Sequence, residues 1–427
     1  MLDLKFIREN KDEVIKSLEK KKCRIDIDKL ISLDQSRRKL IQDSEELKAE
    51  QNEASKKIAK LAGDEKQGEI KKMSELKEKL SLLENNLNIA QDEIDSLMRQ
   101  IPNPPFDDVP EGINETENVV LREVGEKPNS SLFKPKDYLT IAQDLGIIDV
   151  ERAGKVSGSR FGYLKNEAAF LEFALVQLAF STMLPEGFKP IIPPVMIKKE
   201  MMQGMGYADT PEDEEERYYF EKDKLYLVGT SEQSVGPMHS GEIFSEKDLP
   251  IRYAAFSSCF RREAGSYGKD TKGILRVHQF DKVEMFSFCR PDDSRDEHAL
   301  FLKMEEKLMQ ALKIPYRVVQ LCAGDLSRPS ATTIDIEAWL PGQNEGNGLY
   351  REVSSASNTT DFQSRRLNTK YRDSQNKVSF VHNVNGTGFA IGRIIIAIIE
   401  NYQTAEGFVN IPEALKPWMH GIEIIKR

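Results

Sequence analysis

Residues 256–288 combine side chains that can bind phosphate, stack on a ring and accept hydrogen bonds. The ends of this stretch alternate apolar and polar residues, and its middle, 265–273, is polar and rich in glycine. This pattern predicts a β-hairpin with a long mobile tip. Alternate residues of a strand share a face, so Arg261 and Glu263 share one on the incoming strand. The outgoing strand carries on one face Arg276, His278, Phe280, Lys282 and Glu284.

One surface of this sheet can therefore hold arginines, an aromatic ring and a carboxylate in a row. Phe280 and Glu284 would be roughly 13 Å apart at about 3.3 Å per residue, which is enough for a nucleotide and a small molecule. Arginine suits phosphate because its guanidinium is planar and permanently charged, and a ring can stack on a base. A solvated sheet face with incidental charges has the same spacing, so both interpretations stand at this point.

Composition limits the classes of protein to consider. The chain has 427 residues, of which 39% are apolar and 31% charged, as expected of a globular protein of two domains. The sequence shows neither a signal-peptide core nor an apolar run of membrane-spanning length, which predicts a cytoplasmic protein without a membrane partner. The four cysteines are scattered and the five histidines lack ligand spacing, so no zinc site is predicted. The net charge of −9 means that any RNA contact must come from local basic patches.

Two segments near the N-terminus have the heptad pattern of a coiled coil. The first spans residues 30–61, with polar interruptions at Arg37, Ser44 and Gln51, and the second spans residues 73–101 without interruption. A glycine-bearing break lies between them and prolines follow, so we predict an antiparallel coiled-coil hairpin over about 30–101, roughly 50 Å long. Such a hairpin also suits dimerisation or a spacer, and its basic clusters are balanced by acidic neighbours.

The hairpin stretch also resembles a known family. From Phe260 to Phe286 the chain reads FRREAGSYGKDTKGILRVHQFDKVEMF, which resembles motif 2 of class II aminoacyl-tRNA synthetases in the form carried by seryl-tRNA synthetases. The resemblance extends over essentially the whole chain. The other matching segments are 187–194 (motif 1, with Pro194 as its proline), 230–232 (the Thr-x-Glu element), 352–355 (the Glu-Val-Ser-Ser segment) and 385–393 (motif 3, with Arg393 as its arginine).

The resemblance implies an α+β fold, in which an antiparallel β-sheet of class II type is flanked by helices and preceded by the coiled-coil hairpin. It implies an N-terminal tRNA-binding domain over 1–105 and a catalytic domain over 106–427, with a homodimer formed through the motif 1 region around Pro194. The activity it implies is activation of L-serine with ATP to seryl-adenylate, followed by transfer to the 3′ end of tRNA(Ser). It leaves charging of tRNA(Sec) open. The helical arm would recognise the tRNA by shape and backbone.

The resemblance also assigns the site residues by position. Arg261 and Arg393 would be the catalytic residues, with Phe280 and Arg393 on the two faces of the adenine, and Mg²⁺ would bind Glu352 and Ser355. The serine-binding residues would be Thr230, Glu232, Arg261, Glu284, Asn385 and Thr387. The ATP-binding residues would be Arg261, Arg262, Glu263, Arg276, Val277, Phe280, Glu352, Val353, Ser354, Ser355 and Arg393.

Within the serine pocket, Thr230 and Glu232 would bind the ammonium group and Glu284 would accept a hydrogen bond from the hydroxyl group. Alanine would then be rejected, because it leaves a buried carboxylate unpaired. Many bacterial relatives have serine where this chain has Thr387, which adds a methyl group to the pocket.

Two other functions were considered. An amino acid:carrier protein ligase of this type would lack the helical arm. A non-catalytic tRNA-binding paralogue would lack the phosphate-binding arginines.

Overall fold

The structure, a computed structural model, describes residues 2–128, 133–264 and 272–427 and consists of two compact units. One unit comprises Leu2–Pro102 and the other Asn103–Arg427. Of the predicted hairpin tip at 265–273, residues 265–271 lie outside the described residues. Assignment of tRNA binding to the first unit and of catalysis to the second stays a prediction.

The first unit is helical. Its helices are α1 (Leu4–Glu9), α2 (Lys11–Lys20), α3 (Ile27–Ile58) and α4 (Gly63–Gln100). The long helices α3 and α4 run antiparallel, since Arg37 donates a 2.8 Å hydrogen bond to Gln91 and the Ser55 hydroxyl lies 3.8 Å from the sulfur of Met73. Predicted seam positions such as Leu30 and Ile94 are buried. The predicted coiled-coil hairpin is therefore confirmed.

The turn between these helices is shorter than predicted. Helix α4 begins at Gly63 and continues through Gly68, so only residues 59–62 separate it from α3. Gly63 has a φ of +62°, which favours glycine, whereas a Cβ at Gly68 would meet nothing within 4 Å. Gly68 therefore lies on an open helix surface and does not break the helix. The 38 residues of α4 span roughly 57 Å at 1.5 Å per residue.

The second unit contains both helices and strands. Its helices are α5 (Tyr138–Leu145), α6 (Val150–Ser157), α7 (Glu167–Met183), α8 (Lys199–Met205), α9 (Pro211–Glu215), α10 (Glu232–Val235), α11 (Ser294–Ala311), α12 (Gln343–Gly346), α13 (Phe362–Leu367) and α14 (Ile391–Asn401). Its strands are β1 (Val119–Val124), β2 (Ile148–Asp149), β3 (Tyr163–Leu164), β4 (Phe188–Ile191), β5 (Met196–Lys198), β6 (Tyr219–Phe220), β7 (Leu225–Leu227), β8 (Ile243–Ser245), β9 (Ile251–Phe260), β10 (Gln279–Cys289), β11 (Tyr316–Gln320), β12 (Thr332–Leu340), β13 (Leu349–Thr360), β14 (Lys370–Arg372), β15 (Val378–Phe380), β16 (His382–Ala390), β17 (Val409–Asn410) and β18 (Ile424–Ile425).

An eight-stranded sheet lies at the centre of this unit, in the order β1-β11-β12-β13-β16-β10-β9-β4. All neighbouring strands are antiparallel except β4, which runs parallel to β9 at the edge of the sheet. The predicted α+β fold with an antiparallel sheet flanked by helices is confirmed, and the parallel edge strand is an addition to that prediction.

Alternation along β10 separates the two sides of the sheet. Val283 and Met285 lie in the main hydrophobic cluster with buried residues of α7, α11 and α14. Phe286 and Phe288 lie in a second cluster on the opposite side. By the period of two, this second side also carries, nearer the hairpin turn, Phe280, Lys282 and Glu284.

Two apolar helices pack in the main cluster. Residues 394–399 of α14 are all buried, as their sequence predicts. The segment Glu167–Glu186, which contains α7, is long and apolar enough to cross a membrane by length and composition, with a mean hydropathy of 1.5. By length and composition this segment departs from the prediction that no apolar run reaches membrane-spanning length. One such helix is weak evidence for a membrane protein, because core helices pass the same test, and Leu171 and Leu175 of α7 are buried in the cluster.

Candidate active site

The strands of the hairpin end sooner at the turn than the sequence predicts. Strand β9 ends at Phe260 and β10 begins at Gln279. One further ladder bond joins the Arg261 N–H to the carbonyl oxygen of His278 at 3.0 Å, after which Glu263 takes a left-handed φ of +55°. The two chain segments therefore leave the regular ladder of the sheet at this point.

Two adjoining cavities open at this end of the hairpin. Both are lined by the same charged residues, Arg261, Glu263, Arg276, Glu352 and Arg393. The first cavity, which we name the ring cavity, has a largely apolar wall formed by Ile274, Val277, Phe280 and Val353 and also reaches Lys282 and Thr387. The second, the polar cavity, is also lined by Tyr207, Arg217, Thr230 and Gln233. The two cavities together would suit a ligand of nucleotide size whose charged groups lie where the cavities meet.

The structure brings most of the predicted site residues to these cavities. Eight of the eleven predicted ATP-binding residues line the ring cavity, and the three that line neither cavity are Arg262, Ser354 and Ser355. The guanidinium of Arg262 instead lies 5.4 Å from the ring of Tyr218. Glu232, Glu284 and Asn385 also line neither cavity; all three are buried.

The three cavity arginines are held by neighbouring groups. The Arg261 Nε donates to the Gly229 carbonyl oxygen at 3.2 Å and the guanidinium lies 5.4 Å from the centre of the Phe280 ring. Arg276 bonds the Glu263 carboxylate at 2.8 Å. Arg393 donates to the carbonyl oxygen of Glu352 at 2.9 Å, and the Glu352 carboxylate lies 3.3 Å from the same guanidinium. Each guanidinium has five N–H donors, so these bonds leave donors for an anion.

Glu352 stays ionised beside these arginines. Desolvation in the cavity favours its protonated form, but the charges of Arg393 and Arg261 outweigh this effect and lower the pKa of Glu352. On the neighbouring strand, burial and then the charge of Glu352 raise the pKa of Asp335 well above its usual value. Two neighbouring acidic side chains with pKa shifts of opposite direction therefore lie at this edge of the cavity.

A β-bulge brings Glu352 and Ser355 to the same face of β13. Glu352 lies opposite Glu337 of β12 and Ser355 opposite Asp335, with Val353 as the extra residue of the bulge. A regular strand would place residues 352 and 355 on opposite faces, because side chains alternate. The Ser355 hydroxyl bonds Asp335, so its oxygen lies next to two acidic side chains.

The acidic side chain of Glu232 lies behind the polar cavity. It accepts a short hydrogen bond from the hydroxyl group of Tyr207. Burial, followed by the negative charge of Glu284, raises the pKa of Glu232 to about 7, although the bond from Tyr207 acts in the opposite direction. The buried Thr230 hydroxyl, two residues before it, has no hydrogen-bond partner within the described part of the chain. These two groups suit an incoming cation.

Glu284 is buried beside Lys282, which lines the ring cavity. The Lys282 Nζ lies 2.5 Å from its carboxylate, and only 6% of Lys282 and 3% of Glu284 is exposed. The Thr387 hydroxyl donates to the same carboxylate oxygen at 3.3 Å. This last contact depends on a second bulge, because the register of β16 skips Gly388 and so places Thr387 opposite Glu284.

The sequence reading missed several side chains of the site. Tyr207 and Arg217 come from loop segments around α9 without a helical or strand period, so no pattern pointed to them. Burial and the charge of Arg261 lower the pKa of Arg217. Lys282 was placed on the correct face but was given no role, although its spacing of two from Glu284 predicts an ion pair on a strand. Asp335 is recognisable only from the pairing of β12 with β13.

His278 departs from the predicted row. It lines neither cavity; its Nδ1 lies 3.1 Å from the Arg261 carbonyl oxygen and its ring 5.3 Å from that of Phe161. Over residues 2–128, 133–264 and 272–427 no group of three or more His, Cys, Asp or Glu side chains is arranged to hold a metal ion.

Comparison with known proteins identifies what the chain resembles. Residues 1–105 match the seryl-tRNA synthetase N-terminal domain, and residues 218–402 match the tRNA synthetase class II core domain (G, H, P, S and T). The serine–tRNA ligase of Dictyoglomus turgidum is 43% identical over 429 residues, which cover 99% of each chain. That of Corynebacterium glutamicum is 43% identical over 427 residues, covering 100% of this chain and 99% of that protein.

Solved structures show the same similarity. The seryl-tRNA synthetase from Pyrococcus horikoshii complexed with ATP has a TM-score of 0.88 and 38% identity, covering 100% of this chain and 99% of that one. The cytoplasmic serine–tRNA ligase from Naegleria fowleri in complex with AMP has a TM-score of 0.85 and 34% identity, with the same coverage.

The bulge at Gly388 provides a test of how tightly the site is packed. A Cβ at Gly388 would meet the buried Met183 at 2.5 Å and the Val283 carbonyl oxygen at 3.3 Å. We expect Gly388→Ala to lower the free energy of unfolding in urea by about 1–3 kcal/mol through overpacking. Gly392→Ala is the control, because its Cβ would meet only atoms at 3.7 Å and beyond, and alanine favours the helix. Equal stability of the two variants would contradict this account.

Proposed function

The chain belongs to the seryl-tRNA synthetase family, and we propose that its two adjoining cavities bind ATP and L-serine for the activation of serine, before the seryl group passes to tRNA(Ser). The observation that carries this proposal is the set of three guanidinium groups shared by both cavities, with two buried carboxylates next to them. Phosphate oxygens suit the arginines, and the polar groups of one small amino acid suit the carboxylates.

ATP is assigned to the ring cavity. Its apolar wall with Phe280 suits an adenine ring, and Glu263 would accept a hydrogen bond from the adenine amino group. Arg261 belongs to both cavities, so it can hold the α-phosphate and the serine carboxylate together. Arg276 and Arg393 lie on the charged wall, where the outer phosphates would bind, and Val277 offers backbone contacts.

Serine is assigned to the polar cavity, which Thr230 lines, with the buried carboxylates of Glu232 and Glu284 nearby. Thr230 and Glu232 would bind its ammonium group, and Glu284 would accept a hydrogen bond from its hydroxyl group. Asn385 and Thr387 complete the proposed pocket from β16, and Thr387 already bonds Glu284. An amino acid without the hydroxyl would leave the buried Glu284 without a partner, which is strongly unfavourable.

The first reaction step needs positioning and charge stabilisation. A carboxylate oxygen of serine attacks the α-phosphorus, and the bond from that phosphorus to the leaving pyrophosphate breaks. Fixed arginines on the sheet stabilise the charge on the phosphate oxygens without reorganisation. In the second step a hydroxyl group of the terminal adenosine of the tRNA attacks the carbonyl carbon of seryl-adenylate, and AMP leaves.

Glu352 and Ser355 are the proposed Mg²⁺ ligands. Mg²⁺ prefers oxygen ligands and retains several waters. The chain offers the ionised Glu352, the Ser355 hydroxyl on the same face and, beside them, a buried Asp335 oxygen with no partner among the described residues. This donor set fits the ion, and Asp335 is a further acidic group next to it. When bound, Mg²⁺ would neutralise charge on the phosphates of ATP.

The helical arm is the proposed tRNA-binding element. Basic residues near its tip are exposed, among them Lys56, Lys57, Lys60, Lys71 and Lys72. Contacts from such lysines to phosphate and 2′-OH groups recognise RNA by shape. This supports binding of the variable arm of tRNA(Ser). A cytoplasmic location, where ATP and tRNA are available, belongs to the same proposal.

A homodimer through the motif 1 region is also proposed. Large apolar side chains are exposed on α7 and after β4, where Phe173 has 63% and Ile192 78% of its surface exposed. Exposed apolar patches of this kind mark protein interfaces. Pro194 follows Ile192 by two residues in the sequence.

The two alternative functions receive no support. A carrier-protein ligase would lack the arm, whereas the relatives match this chain over its full length, arm included. A non-catalytic paralogue would lack the phosphate-binding arginines, whereas Arg261, Arg276 and Arg393 line one cavity.

Glu284 provides the central test. We expect Glu284→Ala to reduce kcat/KM for serine-dependent pyrophosphate exchange by roughly 10³-fold or more, because the hydroxyl group loses its acceptor. Affinity for ATP, measured by calorimetry, should be kept. Glu306→Ala, which breaks an ion pair with Arg122 and lies outside both cavities, is the control and should leave exchange intact. Near-normal exchange by Glu284→Ala would refute the assignment.

The raised pKa of Glu232 predicts a pH dependence. Binding of the ammonium group needs the carboxylate form, and a free-enzyme pKa of about 7 means that this form is lost as pH falls through 7. We expect kcat/KM for serine to fall by about tenfold per pH unit below that point. Tyr207→Phe removes a bond that stabilises the carboxylate, so it should move the inflection to higher pH. A serine profile that is flat from pH 6 to 8 would argue against the role of Glu232.

Shortening the arm separates adenylate formation from tRNA charging. Deletion of residues 30–101 should leave pyrophosphate exchange intact and abolish serylation of tRNA. A milder variant removes residues 41–54 and 74–87, which are two heptads from each helix. This deletion preserves the seam register seen at Arg37 and Gln91. It shortens the arm by roughly 21 Å. Its charging activity should fall while its exchange activity is unchanged. Full charging by both variants would make the arm purely structural.

A further inference from the structure

The two buried carboxylates of the proposed serine pocket have different partners. Glu232 accepts a hydrogen bond from the neutral hydroxyl group of Tyr207. Glu284 is paired with the ammonium group of Lys282 at 2.5 Å. Lys282 is itself buried and extends from β10 two residues before Glu284. The negative charge of Glu284 is therefore neutralised by a neighbouring cation, whereas Glu232 has no such cation bonded to it among the described residues.

This difference bears on how an amino acid is oriented. Serine brings one ammonium group and one hydroxyl group to a pocket with two carboxylates. Two bare carboxylates would each attract the ammonium group and would permit two binding modes. An ion pair at one of them leaves its lone pairs able to accept a hydrogen bond but removes its attraction for a second cation.

We propose that Lys282 is a specificity-determining residue, which makes Glu284 a reader of hydroxyl groups and excludes amino acids with a second ammonium group. This inference rests on the proposed function. The ligand it excludes most directly is 2,3-diaminopropionate, which matches serine in size but has an ammonium group in place of the hydroxyl. That group would meet the Lys282 ammonium on the same carboxylate, and repulsion between like charges is strong in a water-poor pocket.

The surrounding contacts hold Lys282 in this position. Its Nζ lies 3.5 Å from the Thr387 hydroxyl, which also donates to Glu284 at 3.3 Å. The three side chains therefore form a closed set, built from β10 and from the bulged part of β16.

The experiment compares serine with 2,3-diaminopropionate in pyrophosphate exchange. For Lys282→Met we expect the ratio of kcat/KM for 2,3-diaminopropionate to that for serine to rise by about 10- to 100-fold, the effect of uncovering one buried charge. Lys282→Arg retains the positive charge, so its ratio of kcat/KM values should stay as low as that of the wild-type protein. Lys307→Met, which removes a lysine from an ion pair with Glu186 on the surface, should also keep it.

A double variant distinguishes this role from a structural one. In Lys282→Met with Glu284→Gln the carboxylate is gone, so the gain for 2,3-diaminopropionate should disappear. The double variant leaves no unpaired buried charge at position 284, so we expect it to be more stable than the single variant. If Lys282→Met is not obtained folded, as judged by ATP binding, Lys282→Gln takes its place in the comparison.

The outcomes separate this inference from the function on which it rests. If the unchanged protein shows no serine-dependent exchange, the proposed function fails. If serine is used and removal of the Lys282 charge leaves the ratio unchanged, the function stands and the inference is overturned. A rise that persists in the double variant also overturns it, because the gain would not come from Glu284.

Discussion

Burial of Glu232 and Glu284 beside one cleft is the electrostatic constraint on which the site depends. A carboxylate removed from water needs a cation or a hydrogen-bond donor close by. Glu284 has the ammonium group of Lys282, whereas Glu232 has the hydroxyl of Tyr207 and a raised pKa. This difference gives the pocket one end suited to a cation and one suited to a hydroxyl group.

The sheet meets this constraint because its strands hold charged groups at fixed separations. Lys282 and Glu284 project from one strand, and Thr387 comes from the next. The arginines emerge where regular strand structure stops, at the end of β9 and the start of α14. Rigid strands therefore position the groups proposed to recognise the amino acid, and the strand ends position those proposed to bind phosphate. Fixed dipoles and charges of this kind stabilise a reacting phosphate without reorganisation.

Local periodicity explains how much of the site could be predicted. The period of two placed Phe280, Lys282 and Glu284 on one side of β10, and the heptad repeat located both helices of the arm. The same rule failed where strands are irregular. Glu352 and Ser355 share a face only because of a bulge at Val353, and residues 261–263 and 276–278 lie beyond the strands. Tyr207 lies in a loop, where no period exists to reveal it.

The sequence by itself determined the arm, the class of fold and the face of β10, because these depend on which residues lie near each other along the chain. The motifs that resemble the family also indicated most residues of the cleft. Only the tertiary structure decided which acid acquires which partner: Tyr207 meets Glu232, Asp335 meets Ser355, and Thr387 meets Glu284 through a shift of one residue. Strand register and loop packing set these pairs. Both depend on the free energy of the whole fold, so the spacing of residues along the chain does not reveal them.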